Sequence, residues 1–244
     1  MILDQFKLTD KVAIVTGGGR GIGRGIALGF AEAGAHVAIA ARRVETLEEV
    51  AGEIRAMGRR ALAVPCDVTV PAQLDELVAA TVGEFDGVDL LVNNAGGTPP
   101  TPVLQLTDEA FEAALHFNVT SALHLSRQVI PHMLKRKDGA ILNISSALSY
   151  MVESGFTAYG TSKAALSHMT RLMAHEFAPH VRVNALAVGA TLTDSLSPFV
   201  ASGDLKEQME ALTPMGRLGT TEDIAQAALY LASPAASWVT GKIL

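Results

Sequence analysis

A tyrosine and a lysine four residues apart are the side chains with the clearest chemical potential. Tyr159 and Lys163 stand in the run Tyr-Gly-Thr-Ser-Lys, and positions i and i+4 of a helix share one face. A phenol has an ordinary pKa of about 10, so a base that works near neutral pH needs about 4 kcal/mol of extra phenolate stabilisation. A cation about 4 Å away, at an effective dielectric near 20, supplies that amount. The pair predicts a phenolic acid/base; the alternative is an ordinary surface tyrosine and lysine.

A glycine-rich loop supplies a second candidate site. The run over 16–23, Thr-Gly-Gly-Gly-Arg-Gly-Ile-Gly, lies between a predicted strand and a predicted helix. Glycines permit a tight turn that brings backbone N–H groups against a pyrophosphate, and a helix N-terminus favours negative charge. We therefore expect a dinucleotide to bind here, with contacts from Gly17, Arg20, Gly21, Ile22 and Gly23. Because the spacing differs from G-x-G-x-x-G, a glycine-rich turn without a ligand is the alternative.

Basic residues after the second predicted strand indicate which dinucleotide is preferred. In dinucleotide-binding folds an acidic residue at this place accepts the adenosine ribose hydroxyls of NAD. Ala41 stands there instead, followed by Arg42 and Arg43, and Arg20 lies in the glycine loop. A charge-assisted hydrogen bond is worth about 1.5–3 kcal/mol, so two such bonds to a 2′-phosphate would set the preference. The sequence predicts NADP(H) over NAD(H), unless the arginines only cap a solvated loop.

Apolar runs of strand length alternate along the whole chain with longer stretches of helical spacing. The predicted strands are Lys11–Thr16, His36–Ala41, Ala61–Cys66, Asp89–Asn93, Ala140–Ser145 and Arg182–Ala187. The predicted helices are Gly21–Ala33, Val44–Met57, Pro71–Phe85, Thr107–Lys135, Ala158–Phe177 and Thr221–Leu231. This order predicts an α/β fold, a single Rossmann-like domain over 1–244 with a doubly wound parallel sheet and helices on both faces.

One segment interrupts this alternation. Residues 192–218 mix Ser, Pro, Gly and Thr with scattered apolar side chains. We expect either an apolar lid over a substrate pocket or a surface helix pair that packs on the body or on another subunit.

Composition and charge exclude several kinds of partner and site. The 244 residues carry a net charge of −6 without a dense Lys/Arg run, which argues against nucleic acid and anionic membranes as partners. The chain lacks both an apolar run of about eighteen residues and a secretory signal pattern, so we expect a soluble, cytoplasmic protein. Cys66 is the single cysteine, and the seven histidines show no metal-ligand spacing, so no metal site is expected.

Polar residues at several predicted strand ends complete a pattern that covers essentially the whole chain. They are the 16–23 loop, Asp67, Asn93-Asn94-Ala95-Gly96, Asn118, Ser146 thirteen residues before Tyr159, Lys163, and the segment from Asn184 to Thr193. Together these motifs resemble the classical short-chain dehydrogenase/reductase family. Residues 93–97, 192–194 and 234–239 most resemble bacterial hydroxysteroid dehydrogenases of the bile-acid type.

The resemblance implies roles for the matched residues. Tyr159 would be the general acid/base, Lys163 would lower its pKa and hold the nicotinamide ribose, and Ser146 would bond the substrate oxygen. Asn118 would hold a water that links Lys163 to solvent. The other implied cofactor contacts are Asp67 and Val68 at the adenine, Asn94, Ala95 and Gly96 at the ribose side, and Gly189, Thr191 and Thr193 at the nicotinamide end.

Three of these roles have simpler alternatives from the residues themselves. Asn118 would instead bridge helix backbone, Asp67 would only start a turn, and Ser145 rather than Ser146 would face the site.

The resemblance also implies an activity and an assembly. The protein would be an NADP(H)-dependent enzyme, with NAD(H) possible, that interconverts a secondary alcohol and a ketone on a hydroxysteroid or another apolar small molecule. The alternatives are a 3-oxoacyl-(acyl-carrier-protein) reductase and, from another class, a non-catalytic cofactor-binding sensor or scaffold. A homotetramer would form through the helices predicted at Thr107–Lys135 and Ala158–Phe177.

The sequence departs from the family pattern at two places. Val188-Gly189 stands where relatives usually have Pro-Gly, so we expect the backbone beside the nicotinamide to lose a rigid residue. The sequence also ends at Gly241-Lys242-Ile243-Leu244, whereas relatives continue through a last strand, so an incomplete seventh strand is expected.

Overall fold

Six parallel strands form one sheet in the computed structural model, which describes residues 1–194, 196–197 and 204–244. The strands are β1 (Val12–Thr16), β2 (His36–Ala41), β3 (Ala61–Pro65), β4 (Leu90–Asn93), β5 (Gly139–Ser146) and β6 (Val181–Val188). They lie in the order β3-β2-β1-β4-β5-β6, so the winding reverses between β1 and β4. Open sheets of this kind bind ligands at the carboxyl edge of the reversal. The predicted fold class is confirmed.

Helices cover both faces of the sheet. They are α1 (Gly21–Glu32), α2 (Val44–Ala56), α3 (Pro71–Phe85), α4 (Asp108–Leu115), α5 (Ser121–Arg136), α6 (Thr157–Phe177), α7 (Asp204–Leu212) and α8 (Thr221–Ala232). Side chains alternate along a strand, so Ala13 and Val15 of β1 pack on α1, α2 and α8, while Val12 and Ile14 pack on α3, α5 and α6. Because both faces are covered, the strands are almost continuously apolar.

The stretch predicted as one helix over Thr107–Lys135 is divided in the structure. Helix α4 ends at Leu115, a π-helical turn spans His116–Thr120, and α5 begins at Ser121. A π turn inserts an extra residue and so changes the direction of the side chains that follow. The extent of the predicted helix is confirmed, because the backbone stays helical from Asp108 to Arg136, but the π turn inside it was not predicted, since helical spacing continues on both sides of the insertion.

Backbone hydrogen bonds join the two ends of the segment over 192–218. Its position 195 and positions 198–203 lie outside the described residues. The Leu192 N–H donates to the Gly219 carbonyl at 2.8 Å, and the Gly219 N–H donates to the Ala190 carbonyl at 2.9 Å. Both ends of the segment therefore leave the sheet edge together, as a lid requires; the lid itself stays a prediction.

The structure shows regular strand pairing at one of the two departures from the family pattern and a short strand contact at the other. Val188 is paired with Ser146 across the sheet, so β6 stays regular up to the residue that replaces proline. At the end of the sequence, Ile243 forms a single parallel bridge with Ala185, next to β6. Within the described ranges, none of the helices combines the length and the apolar content that crossing a membrane needs.

Candidate active site

The glycine loop connects β1 to α1 with a backbone that requires glycine. Gly17 has φ +67°, and its N–H donates to the Ala40 carbonyl at 2.7 Å. A Cβ at Gly23 would lie 2.3 Å from the Gly17 carbonyl oxygen, which real contacts do not allow. Thr193 lies over the loop, because a Cβ at Gly21 would meet the Thr193 Cβ at 3.6 Å. The segment after β6 therefore faces the start of α1.

Thr16 holds the glycine loop against the end of β4, a role that the sequence analysis missed. Its hydroxyl accepts hydrogen bonds from the backbone N–H groups of Asn94 and Ala95, both at 3.0 Å. The Asn94 side-chain amide donates back to the Thr16 carbonyl at 2.8 Å. The position of Thr16, a polar residue between an apolar strand and a glycine run, is the sequence feature that could have indicated this role. These bonds place the ends of β1 and β4 side by side.

The predicted adenine end brings Asp67 close to Arg42. The Asp67 carboxylate accepts from the Thr69 N–H at 2.9 Å and from the Thr69 hydroxyl at 2.7 Å. These bonds lower the pKa of Asp67 against the smaller opposing effect of burial, and the Arg42 charge lowers it slightly further. Asp67 therefore starts a turn, which is the simpler role that the residues themselves predicted for it. Its carboxylate also interacts with the positive charge of Arg42.

The three arginines predicted at the 2′-phosphate are exposed. In the part of the chain that the structure describes, none of Arg20, Arg42 and Arg43 forms an ion pair. Val68, in contrast, is buried in the core, so only its backbone is available to a ligand.

Tyr159 and Lys163 lie on α6, with the ammonium group deep in the protein. Lys163 is 3% exposed, and its Nζ donates to the Ile144 carbonyl at 2.8 Å. Burial disfavours the charged form and lowers the pKa of Lys163 to about 8. The Nζ lies 5.7 Å from the centroid of the Tyr159 ring. The helix thus brings the cation beside the phenol ring, as the spacing predicted.

The pKa of the phenol is shifted in the direction opposite to the sequence expectation. Burial raises the pKa of Tyr159, and a hydrogen bond with Ser146 opposes that shift. Lys163 does not offset the effect of burial on Tyr159, because burial also lowers the pKa of Lys163 to about 8 and the lysine is therefore uncharged at the pH where the phenol titrates. The lysine alone does not make this phenol acidic in the free protein.

Adjacent serines at the end of β5 have different surroundings. Ser146 accepts from the Leu148 N–H at 3.2 Å, and its hydroxyl acts on the phenol of Tyr159 in the direction that lowers the pKa of Tyr159. Ser145 instead donates to the Lys163 carbonyl at 3.1 Å and contacts Ser167. Ser146, not Ser145, therefore faces the phenol.

Asn118, the fourth residue predicted to be catalytic, lies in the π turn. Its Oδ1 accepts from the Gly97 N–H at 2.9 Å, and its Nδ2 donates to the Ala114 carbonyl at 2.9 Å, so it does bridge backbone. A Cβ at Gly96 would lie 2.7 Å from the Asn118 Oδ1 and 3.0 Å from the Lys163 Nζ. Gly96 thus keeps the space between these two polar side chains small but open.

The residues predicted to contact the nicotinamide follow β6. Gly189 is exposed, and its carbonyl accepts from the buried Thr191 hydroxyl at 3.2 Å. Thr193 is half-buried against the glycine loop. The crevice therefore has a glycine cradle at one end and a phenol, a serine and a lysine at the other, which suits a dinucleotide with its reactive ring beside Tyr159.

Comparisons with known proteins agree with this arrangement. A family model described as enoyl-(acyl carrier protein) reductase matches residues 17–244. The chain belongs to the short-chain dehydrogenase/reductase family. Members of this family are oxidoreductases that bind NAD(H) or NADP(H), so the expectation of an enzyme is confirmed.

Several short-chain dehydrogenase/reductase relatives match over nearly the full chain. An uncharacterized oxidoreductase of Mycobacterium tuberculosis is 49% identical, covering 100% of this chain and 93% of the relative. The 7alpha-hydroxysteroid dehydrogenase of Escherichia coli strain K12 is 43% identical, covering 99% and 94%. A solved structure of 7alpha-hydroxysteroid dehydrogenase complexed with NADH and 7-oxo glycochenodeoxycholic acid has a TM-score of 0.95 at 42% identity, covering 99% and 94%.

Proposed function

We propose that this enzyme interconverts a secondary alcohol and a ketone on an apolar small molecule such as a hydroxysteroid, using NADP(H), with Tyr159 as the general acid/base. The observation that carries this proposal is that Lys163 lies beside the Tyr159 ring on α6 and bonds the end of β5, the strand end that also carries Ser146. A serine hydroxyl beside a buried phenol is suited to holding one oxygen atom of a substrate.

Each side chain has a distinct task in the proposed reaction. The bound nicotinamide supplies or accepts the hydride. Ser146 would hold the substrate oxygen, while Tyr159 donates a proton to the ketone oxygen or takes it from the alcohol. With a pKa of about 8, Lys163 is mostly cationic at neutral pH, so it can stabilise the phenolate and bond the ribose. Asn118 would hold a water that connects Lys163 to solvent.

The preference for NADP(H) rests on charge at the adenosine end. Arg20, Arg42 and Arg43 are exposed around the ends of β1 and β2, where the second strand lacks the acidic residue that suits NAD. The solved relative contains NADH, so the preference of this chain needs its own measurement.

Exposed apolar side chains that follow β5 and β6 in the sequence support an apolar substrate. Tyr150, Met151 and Val152 follow the catalytic strand β5 and are exposed, and Leu212 and Met215 are exposed in the segment after β6. The 43% identical relative is named for a hydroxysteroid. The description of the matching family model names an acyl carrier protein, so a 3-oxoacyl thioester is the second candidate.

The proposed function is tested by turnover with NADPH or NADP⁺ on steroids, small secondary alcohols and their ketones, and 3-oxoacyl thioesters. Tyr159→Phe should lose about a thousandfold in kcat and keep NADPH binding, because it removes only the proton. Tyr230→Phe, on α8, is the matched control and should behave as the unsubstituted enzyme. Full activity of Tyr159→Phe would contradict the proposed role.

A further inference from the structure

The face of α6 that packs on the sheet carries polar side chains at positions i, i+4 and i+7. Lys163, Ser167 and Thr170 are all buried there, where a core-facing helix usually presents apolar residues. Burying polar groups costs free energy unless hydrogen bonds compensate. Such a stripe therefore needs partners on the sheet.

Strand β5 supplies those partners from alternate residues of one face. The Asn143 amide donates to the Thr170 hydroxyl at 2.8 Å. Two residues on, Ser145 donates to the Lys163 carbonyl at 3.1 Å and lies 2.7 Å from the Ser167 hydroxyl. Apolar contact is non-directional, whereas these bonds form only in one register of helix against strand.

The direction of the bonds follows from counting hydrogens. Ser145 has one hydroxyl hydrogen, which the Lys163 carbonyl accepts, so Ser167 must donate to the Ser145 oxygen. Ser145 thus receives one bond and makes one. Without it, the buried Ser167 hydroxyl loses its acceptor on the strand and the Lys163 backbone loses its bond to the strand.

Three consecutive residues of β5 therefore define the catalytic end. The Ile144 carbonyl accepts from the Lys163 Nζ, Ser145 donates to the backbone carbonyl of the same lysine, and Ser146 is the last residue of the strand. We propose that Ser145, supported by Ser167, is a positioning residue that sets where Lys163 stands relative to Tyr159. This inference rests on the proposed function, in which that lysine stabilises the phenolate and bonds the cofactor ribose.

The proposal predicts an altered pH profile in Ser145→Ala. Displacing the ammonium group from the phenolate by about 1 Å weakens their attraction, which should raise the acidic limb of the kcat profile for alcohol oxidation by about half a pH unit. The kcat itself should fall about three- to tenfold. Ser167→Ala keeps the bond to Lys163, so its effect should be smaller, and the double variant should match Ser145→Ala.

Ser233→Ala is the matched control, because it removes an equally buried hydroxyl at the end of α8. It should lose similar thermal stability without a change in the pH profile. NADP⁺ affinity, measured without substrate, should fall about threefold in Ser145→Ala only. If Ser145→Ala and Ser233→Ala agree in both the profile and the affinity, the positioning role is wrong. Full activity of Tyr159→Phe would instead refute the acid/base assignment, and the affinity comparison would still test Ser145.

Discussion

At the scale of single residues, burial of the Lys163 ammonium group lowers the free energy of unfolding. The proposed reaction uses this buried charge. Its pKa falls from 10.5 to about 8 through burial, so the unfolded chain binds a proton more tightly than the folded one. Below about pH 8 both states are protonated, and the folded state carries the full cost, about 3 kcal/mol. Between pH 8 and 10.5 only the unfolded state stays protonated, so this cost disappears as pH rises.

We therefore expect Lys163→Met to be more stable than the unsubstituted protein at pH 7 despite its loss of activity. The gain should be about 1 kcal/mol, because the Ile144 carbonyl loses its donor. Denaturant unfolding should show the difference between the two proteins falling by about 2 kcal/mol from pH 7 to pH 10. Lys135→Met, at an exposed position of α5, is the control. A difference that does not vary with pH would show that Lys163 is not destabilising through its charge.

A substitution of Arg42 tests the predicted preference for NADP(H) over NAD(H). Arg42→Ala should weaken NADPH binding about ten- to a hundredfold, the worth of one charge-assisted hydrogen bond, and NADH binding less than about threefold. Fluorescence titration with both nucleotides measures this. Arg55→Ala, near the far end of α2, should change neither affinity. Equal losses for the two nucleotides in Arg42→Ala would overturn the preference for NADP(H).

At the scale of elements, substitutions of two helical glycines distinguish a glycine that is needed for nucleotide binding from one that only destabilises its helix. Gly23→Ala should weaken NADPH binding about tenfold or more, because its Cβ would collide with the Gly17 carbonyl and open the loop. Gly52→Ala, in α2, meets no atom within 4 Å and should gain about 0.5–1 kcal/mol in unfolding free energy. Calorimetry and nucleotide titration on both variants test this, and normal binding by Gly23→Ala would show that the loop is not a tight cradle.

Comparison of the predicted with the observed elements shows which features of the fold local sequence patterns can predict. The six strands were predicted within one residue at each end, because the buried apolar runs of β1, β4, β5 and β6 stop at Gly, Asn or Ser and that of β2 stops at Arg42. The π turn at His116–Thr120 was not predicted, since the contacts that place Asn118 come from Gly97, distant in sequence. The same holds for the pKa of Tyr159, whose direction depends on burial that no local spacing reveals.

At the scale of the whole molecule, the predicted homotetramer depends on faces that a single chain leaves uncovered. Helices α5 and α6 present Leu123, Leu134 and Leu172 to solvent, and Leu172 is 58% exposed. Exposed apolar residues on neighbouring helices are typical of subunit contacts. Covering them with a second copy through these two helices is the assembly that the resemblance implies.

Leu172→Glu should therefore break that contact, because a carboxylate buried without a partner costs several kcal/mol. Light scattering should give four times the 25.5 kDa chain mass for the unsubstituted protein and two times or less for Leu172→Glu. Leu104→Glu, at a side chain that is 98% exposed in the turn Val103–Gln105, should keep the tetramer. An unsubstituted protein that scatters as a single chain would reject the tetramer, and an unchanged mass for Leu172→Glu would place the contact on other helices.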